Sequence, residues 1–112
     1  MYKALIVDDE VGSRNGVSQM LQTRKQWSIC KLCQDGEEAL KAIEDDPDID
    51  LIITDIRMPR LDGLSLISQI RKKNARVFII ILTGYADFNY AKRALELRVY
   101  HYLLKPIDEQ NF

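Results

Sequence analysis

The sequence predicts an α/β domain: one parallel sheet of five strands, with helices wound on both faces. Three observations predict it. Short apolar runs alternate with helical segments five times along 112 residues, and every connection is short. One run, Val77–Leu82, is six apolar residues in succession, the signature of a strand buried in the middle of a parallel sheet. Four of the five runs stop abruptly on a chemically active residue, as strands do when they deliver side chains to one edge.

Taken in order, Tyr2–Val7 is the first strand, a short apolar run bounded by acids. After Asp8-Asp9-Glu10, the segment bearing Val11, Val17, Met20 and Leu21 reads as a helix with these residues on its inner side. Gly12 and Gly16 weaken it without overturning it. Trp27–Cys33 is the second strand, with an irregular alternation of faces. Asp35 is placed to cap a helix lined by Ala39, Leu40 and Ile43, with Glu38 at the capping-box position and Pro47 beyond its end. Leu51–Thr54 is the third strand.

The sequence then turns through Met58-Pro59 and Leu61-Asp62-Gly63. Leu64–Lys73 is amphipathic, with Leu64, Ile67 and Ile70 on one face, widened by Leu66, and Arg71, Lys72 and Lys73 answering the helix dipole at its end. Val77–Leu82 is the fourth strand. Ala86–Leu97 is a helix expected to turn Phe88, Ala91, Ala94 and Leu95 inward. Tyr100–Leu104 is the fifth strand, closed by Lys105-Pro106. Asp108-Glu109-Gln110 reads as the first turn of a last helix cut short at Phe112.

Composition bounds the function. A chain of this length suits one core, and 46% hydrophobic with 29% charged residues predicts a folded domain. A net charge of -1 argues against this segment gripping nucleic acid by itself. No apolar run is long enough to span a membrane, and acids within the first ten residues exclude a signal peptide, so a cytoplasmic location without membrane contact is expected. Cys30 and Cys33 are spaced C-x-x-C, but they fall on a strand and lack a second pair. They read as two small buried residues rather than a redox or zinc motif.

In open parallel sheets, ligands bind at the carboxyl ends of the strands, where the strand order reverses. Strand one ends at Asp8-Asp9, strand three at Asp55, strand four at Thr83 and strand five at Lys105. In a flavodoxin-like order 2-1-3-4-5, strands one and three are neighbours, which brings the three acids together. Two like charges ~4 Å apart repel by roughly 4 kcal/mol at an effective dielectric near 20. A hard divalent cation with oxygen ligands, Mg2+, removes that cost. A carboxylate beside such an ion can attack phosphorus, while a lysine and a hydroxyl stabilise the phosphoryl oxygens. Singly, each residue has an ordinary explanation: a helix cap, a strand end, a surface lysine, a turn. Together on one edge they argue for a shared site.

The residues Val7-Asp8-Asp9-Glu10, Thr54-Asp55-Ile56-Arg57-Met58-Pro59, Leu61-Asp62-Gly63, Leu82-Thr83-Gly84-Tyr85 and Tyr102-Leu103-Leu104-Lys105-Pro106 resemble a two-component response-regulator receiver domain over essentially the whole of residues 1–112. That resemblance implies Asp55 as phosphoacceptor. It implies Mg2+ ligated by Asp9 and Asp55, by Asp8 mainly through water, and by the backbone carbonyl of Arg57. It makes Thr83 and Tyr102 a switch pair, Lys105 the partner of the phosphoryl oxygens, and the bond before Pro106 cis. A sensor histidine kinase would be the donor.

Asp87-Phe88, Tyr90-Ala91 and Leu103–Asp108 are similar to receivers that precede AraC-type DNA-binding domains. This implies a transcription regulator whose output domain is absent from this chain, reaching DNA only through that domain and pairing with itself on phosphorylation. Arg98 stands near a position where the family usually has glycine, and Tyr100 and His101 are bulky for that bend. His101 reads as a half-exposed strand residue rather than a phosphate relay. The alternatives are an aspartate-nucleophile phosphohydrolase and a receiver-like module that is never phosphorylated. The first lacks a second acid two residues after Asp55, where Arg57 stands; the second is disfavoured by the full set of acids, Thr83 and Lys105.

Overall fold

In a computed structural model, which describes residues 2–73 and 76–106, five parallel strands form one sheet in the order β2-β1-β3-β4-β5. The elements run β1 (Tyr2–Val7), α1 (Val11–Gln22), β2 (Trp27–Cys33), α2 (Gly36–Asp45), β3 (Leu51–Thr54), α3 (Gly63–Lys73), β4 (Phe78–Thr83), α4 (Phe88–Glu96) and β5 (His101–Leu104). The expected last helix at Asp108–Gln110 lies outside the described residues. No helix among those described is long and apolar enough to cross a membrane.

Strand periodicity divides the core into two layers. Leu5, Val7, Ile52, Ile79 and Ile81 face α2, α3 and Ala94 of α4. Ala4, Ile6, Leu51, Ile53 and Leu82 face the opposite side, with Val17 and Leu21 of α1. All four residues of β3 are buried, as befits the central strand. α2 starts where the sequence placed it: Asp35 Oδ1 accepts the Glu38 amide at 2.9 Å.

Several local expectations are corrected. The irregular face alternation of β2 has a cause: its register with β1 slips between Ala4, opposite Ile29, and Leu5, opposite Lys31. Cys30 is the extra residue and is exposed, so only Cys33 is a buried core residue. Val11 is also exposed, leaving Val17 and Leu21 as the inner residues of α1. β4 is not buried along its full length, because Phe78 at its start projects from the sheet edge against Tyr100.

The largest departure is α4. Phe88 is 78% and Leu95 76% exposed, and Ala94 is the one fully buried side chain of the helix. Asp87 sets the phase, since its Oδ1 accepts the amides of Asn89 and Tyr90 and so starts the helix at Phe88. Tyr90, Ala94 and Leu97, spaced by a helical repeat, then face the core instead.

Arg98, which follows α4, has φ 59, the left-handed region where a Cβ is strained. Replacing Arg98→Gly removes that strain while keeping the backbone carbonyl that Arg71 bonds. It is expected to stabilise the fold by about 1 kcal/mol, read as a rise of roughly 4 °C or more in melting temperature.

Burial pushes the Cys33 thiol up to about 12, so it stays protonated at neutral pH, while Cys30 lies open on the bulge. A thiol reagent near neutral pH should therefore modify Cys30 alone in the native protein and both cysteines after unfolding. Equal native labelling would contradict this arrangement.

Candidate functional site

The pairing of Val7 with Thr54 sets the ends of β1 and β3 side by side. Asp8 follows one strand and Asp55 the other, anchored by bonds from the Asp8 amide to the Cys33 carbonyl (3.0 Å) and from the Asp55 amide to the Val7 carbonyl (3.1 Å). Both carboxylates are buried, and the more exposed Asp9 completes a group whose oxygens lie within 4.8 Å of one another. At the end of β5, the Lys105 amide bonds the Thr83 carbonyl at 2.8 Å, which aims the lysine side chain across the rim. Its Nζ lies 2.8 Å from Asp55 Oδ2, 2.9 Å from Asp8 Oδ2 and 3.5 Å from Glu10 Oε1. Thus Asp8, Asp9, Asp55 and Lys105, separated widely in sequence, meet as expected.

Burial alone would lower the pKa of the Lys105 ammonium. Hydrogen bonds to Asp55 and Asp8 outweigh it and hold the group above the ordinary lysine range. One ammonium still leaves an excess of negative charge among three clustered carboxylates. The donors are all hard oxygens, two fixed by burial and one open to solvent, so the set fits a divalent ion that keeps part of its water.

The loop after β3 is rigidly placed. Asp55 Oδ1 accepts the Ile56 amide at 2.7 Å, and the Gly63 amide donates to the Ile56 carbonyl at 2.7 Å. A Cβ on Gly63 would overlap the carbonyl of Asp55, so the turn requires glycine for close backbone approach.

Thr83 is fully buried at the end of β4, its Oγ1 accepting the Tyr85 amide at 3.3 Å rather than bonding the acids. Tyr102 is half-buried on β5 and donates its hydroxyl to the Tyr85 carbonyl at 2.9 Å. Both switch candidates therefore converge on the turn between β4 and α4. The Lys105-Pro106 bond is cis. His101 lies at the start of β5, in a groove of about 810 Å³ with Tyr2, Phe78 and Tyr100, at the opposite end of the sheet from Asp55. Exposed there and packed edge-on against Tyr100, it lies away from the acids.

Sequence reasoning missed Glu10 as a neighbour of Lys105, and Arg14, whose guanidinium donates to the Asp8 carbonyl at 2.7 Å. Arg57 and Tyr85 were expected to flank the site, but the contacts of the Arg57 side chain were not foreseen. That guanidinium stacks 4.0 Å over the Tyr85 ring, and its Nε donates to the Tyr90 hydroxyl at 3.1 Å. Arg57 and Tyr90 line a cavity of about 390 Å³ that Asp9 also borders. No sequence spacing signals these contacts, because they join different elements.

This fold and rim define a class. Residues 4–112 match the response regulator receiver domain, and the chain belongs to that family. It is 39% identical over 112 residues to YesN of Bacillus subtilis, an uncharacterized transcriptional regulatory protein, covering 98% of this chain but 30% of the relative. It is 39% identical over 109 residues to the transcriptional regulatory protein HptR of Staphylococcus aureus, covering 96% of this chain and 42% of the relative. The chain thus spans less than half the length of either. Its fold superposes on a chain of the CheX-CheY-BeF3-Mg2+ complex from Borrelia burgdorferi with a TM-score of 0.91 at 27% identity, over 98% of this chain and 82% of that one. Receiver domains bind Mg2+ at an acidic pocket, and Asp8, Asp9 and Asp55 form such a pocket here.

Gly63→Ala should cost about 1–3 kcal/mol in urea denaturation, because the added methyl meets backbone that cannot yield. Gly16→Ala, where nothing lies within 4 Å of the new Cβ inside α1, should instead stabilise by about 0.5–1 kcal/mol. Equal effects at the two positions would refute the close approach at Asp55.

Proposed function

We propose that this domain is a phosphorylation-activated switch of a two-component system, with Asp55 accepting a phosphoryl group from a sensor histidine kinase. An Asp55 carboxylate oxygen attacks phosphorus, and the bond to the donor breaks with its electron pair leaving on the donor. Asp8, Asp9, Asp55 and the backbone carbonyl of Arg57 would hold Mg2+, which would supply positive charge to the phosphoryl oxygens. Lys105 shifts from its carboxylate partners to those same oxygens. Thr83 and Tyr102 carry the change outward. A phosphoryl oxygen draws the Thr83 hydroxyl away from Tyr85, and Tyr102 follows into the vacated space. α4 and β5 form the altered face, which pairs with a second copy in the full-length protein and acts on a DNA-binding output domain to regulate transcription in the cytoplasm.

The observation that carries this reading is the Lys105 ammonium, 2.8 Å from Asp55 and 2.9 Å from Asp8, inside a three-carboxylate cluster. It supplies nucleophile, metal seat and phosphate partner within one hydrogen-bonded group. The name of the Borrelia complex, with BeF3 and Mg2+ beside CheY, supports the same chemistry. The similarity to the transcriptional regulatory proteins YesN and HptR supports a transcriptional output. Against repeated phosphatase turnover stands Arg57 two residues after Asp55, where a second acid would be needed, with its side chain committed to Tyr85 and Tyr90.

Intact mass after incubation with acetyl phosphate tests the reading. Wild type should gain one phosphoryl increment with Mg2+ and none without it, and Asp55→Asn should gain none. No increment in folded wild type with Mg2+ would overturn the assignment, and steady release of phosphate from a monoester would favour an enzyme.

A further inference from the structure

Ala94 is the one fully buried side chain of α4, with Tyr90 and Leu97 half-buried beside it, so apolar packing holds this helix less firmly than α3, which buries Leu64, Leu66, Ile67 and Ile70. Two guanidiniums from other elements hold the ends of α4. At the carboxyl end, Arg71 of α3 donates to three backbone carbonyls: Leu97 (2.9 Å), Arg98 (2.9 Å) and Val77 (2.6 Å). At the amino end, Arg57 bonds the Tyr90 hydroxyl and stacks on Tyr85, whose carbonyl also holds Tyr102.

We propose that α4 is a lever, pinned at its carboxyl end by Arg71 and latched at its amino end by Arg57, and that a phosphoryl group on Asp55 opens the latch alone. The mechanism rests on the phosphoacceptor reading above. Arg57 follows Asp55 by two residues and lines the same cavity as Asp9. Its present partners, a neutral ring and a neutral hydroxyl, are weaker for a guanidinium than an anionic phosphoryl oxygen, whose hydrogen bonds are charge-assisted. The Arg71 partners are carbonyls near the starts of β4 and β5, at the far end of the sheet, so added charge at Asp55 leaves them in place. The helix then swings about its Arg71 end and moves the exposed Phe88 most.

Amide hydrogen exchange, with intact mass reporting phosphorylation in the same samples, tests the lever. In wild type with Mg2+ and acetyl phosphate, the amides of Asn89–Ala91 should exchange about fivefold faster or more, and those of Leu97–Val99 should change by less than about twofold. Without any donor, Arg57→Gln should already free Asn89–Ala91, as should Tyr90→Phe, which keeps the ring and removes the hydroxyl. Arg71→Gln should free Leu97–Val99 while still accepting the phosphoryl group. Donor-free Arg57→Gln and Tyr90→Phe indistinguishable from wild type would overturn the lever, as would loosening spread evenly along phosphorylated α4. Failure of wild type to gain mass would defeat the phosphoacceptor reading, and the donor-free comparison of variants would still decide the latch and the pin.

Discussion

The ammonium of Lys105 between Asp8 and Asp55 is the contact on which the rim depends. It joins residues 97 and 50 positions apart and ties the ends of β1, β3 and β5 together. Without a cation, two carboxylates ~4 Å apart would repel by roughly 4 kcal/mol at an effective dielectric near 20. The lysine offsets part of that repulsion, while leaving negative charge for a divalent ion. Its reach is set by the backbone, through the bond from its amide to Thr83, so the geometry of the acids is only as good as the pairing of β4 with β5.

The rest of the molecule divides by how it is held. β1, β3 and the middle of β4 are clamped between two apolar layers, and α2 and α3 are tied to one of them by several buried side chains. Such elements resist movement because any shift opens voids in close-packed surroundings. α4 is held by one fully buried alanine, by the half-buried Tyr90 and Leu97 beside it, and by hydrogen bonds at its ends. Polar contacts exchange partners with little loss when a competing charge arrives, whereas packed methyl groups do not. A rigid carboxylate rim next to an adjustable helix is what a two-state element requires.

Much of the site was legible in the residues because strand ends are sharp signals. An apolar run that stops on an acid or a lysine marks both the edge and the side chain delivered there, so Asp8, Asp9, Asp55, Thr83 and Lys105 could be read before any coordinates. The errors fell where signals were ambiguous. Phe88 and Leu95 are apolar at helical spacing and were expected inside, yet the cap at Asp87 and the small face of Ala94 turned them outward. Cys30 was expected in the core, yet a one-residue slip in β2 put it in solvent.

By itself the sequence determined the element order, the parallel sheet, the family and the residues of the rim, because periodicity and strand-end chemistry are local properties of the chain. Tertiary structure alone decided the rotation of α4, the bulge in β2, the clasp of Arg57 on Tyr85 and Tyr90, and the Arg71 bonds that bridge α3, the start of β4 and the end of α4. These are pairings between distant segments, and a long flexible arginine can reach many carbonyls. Which ones it meets is fixed only when the packed sheet brings them within hydrogen-bond distance.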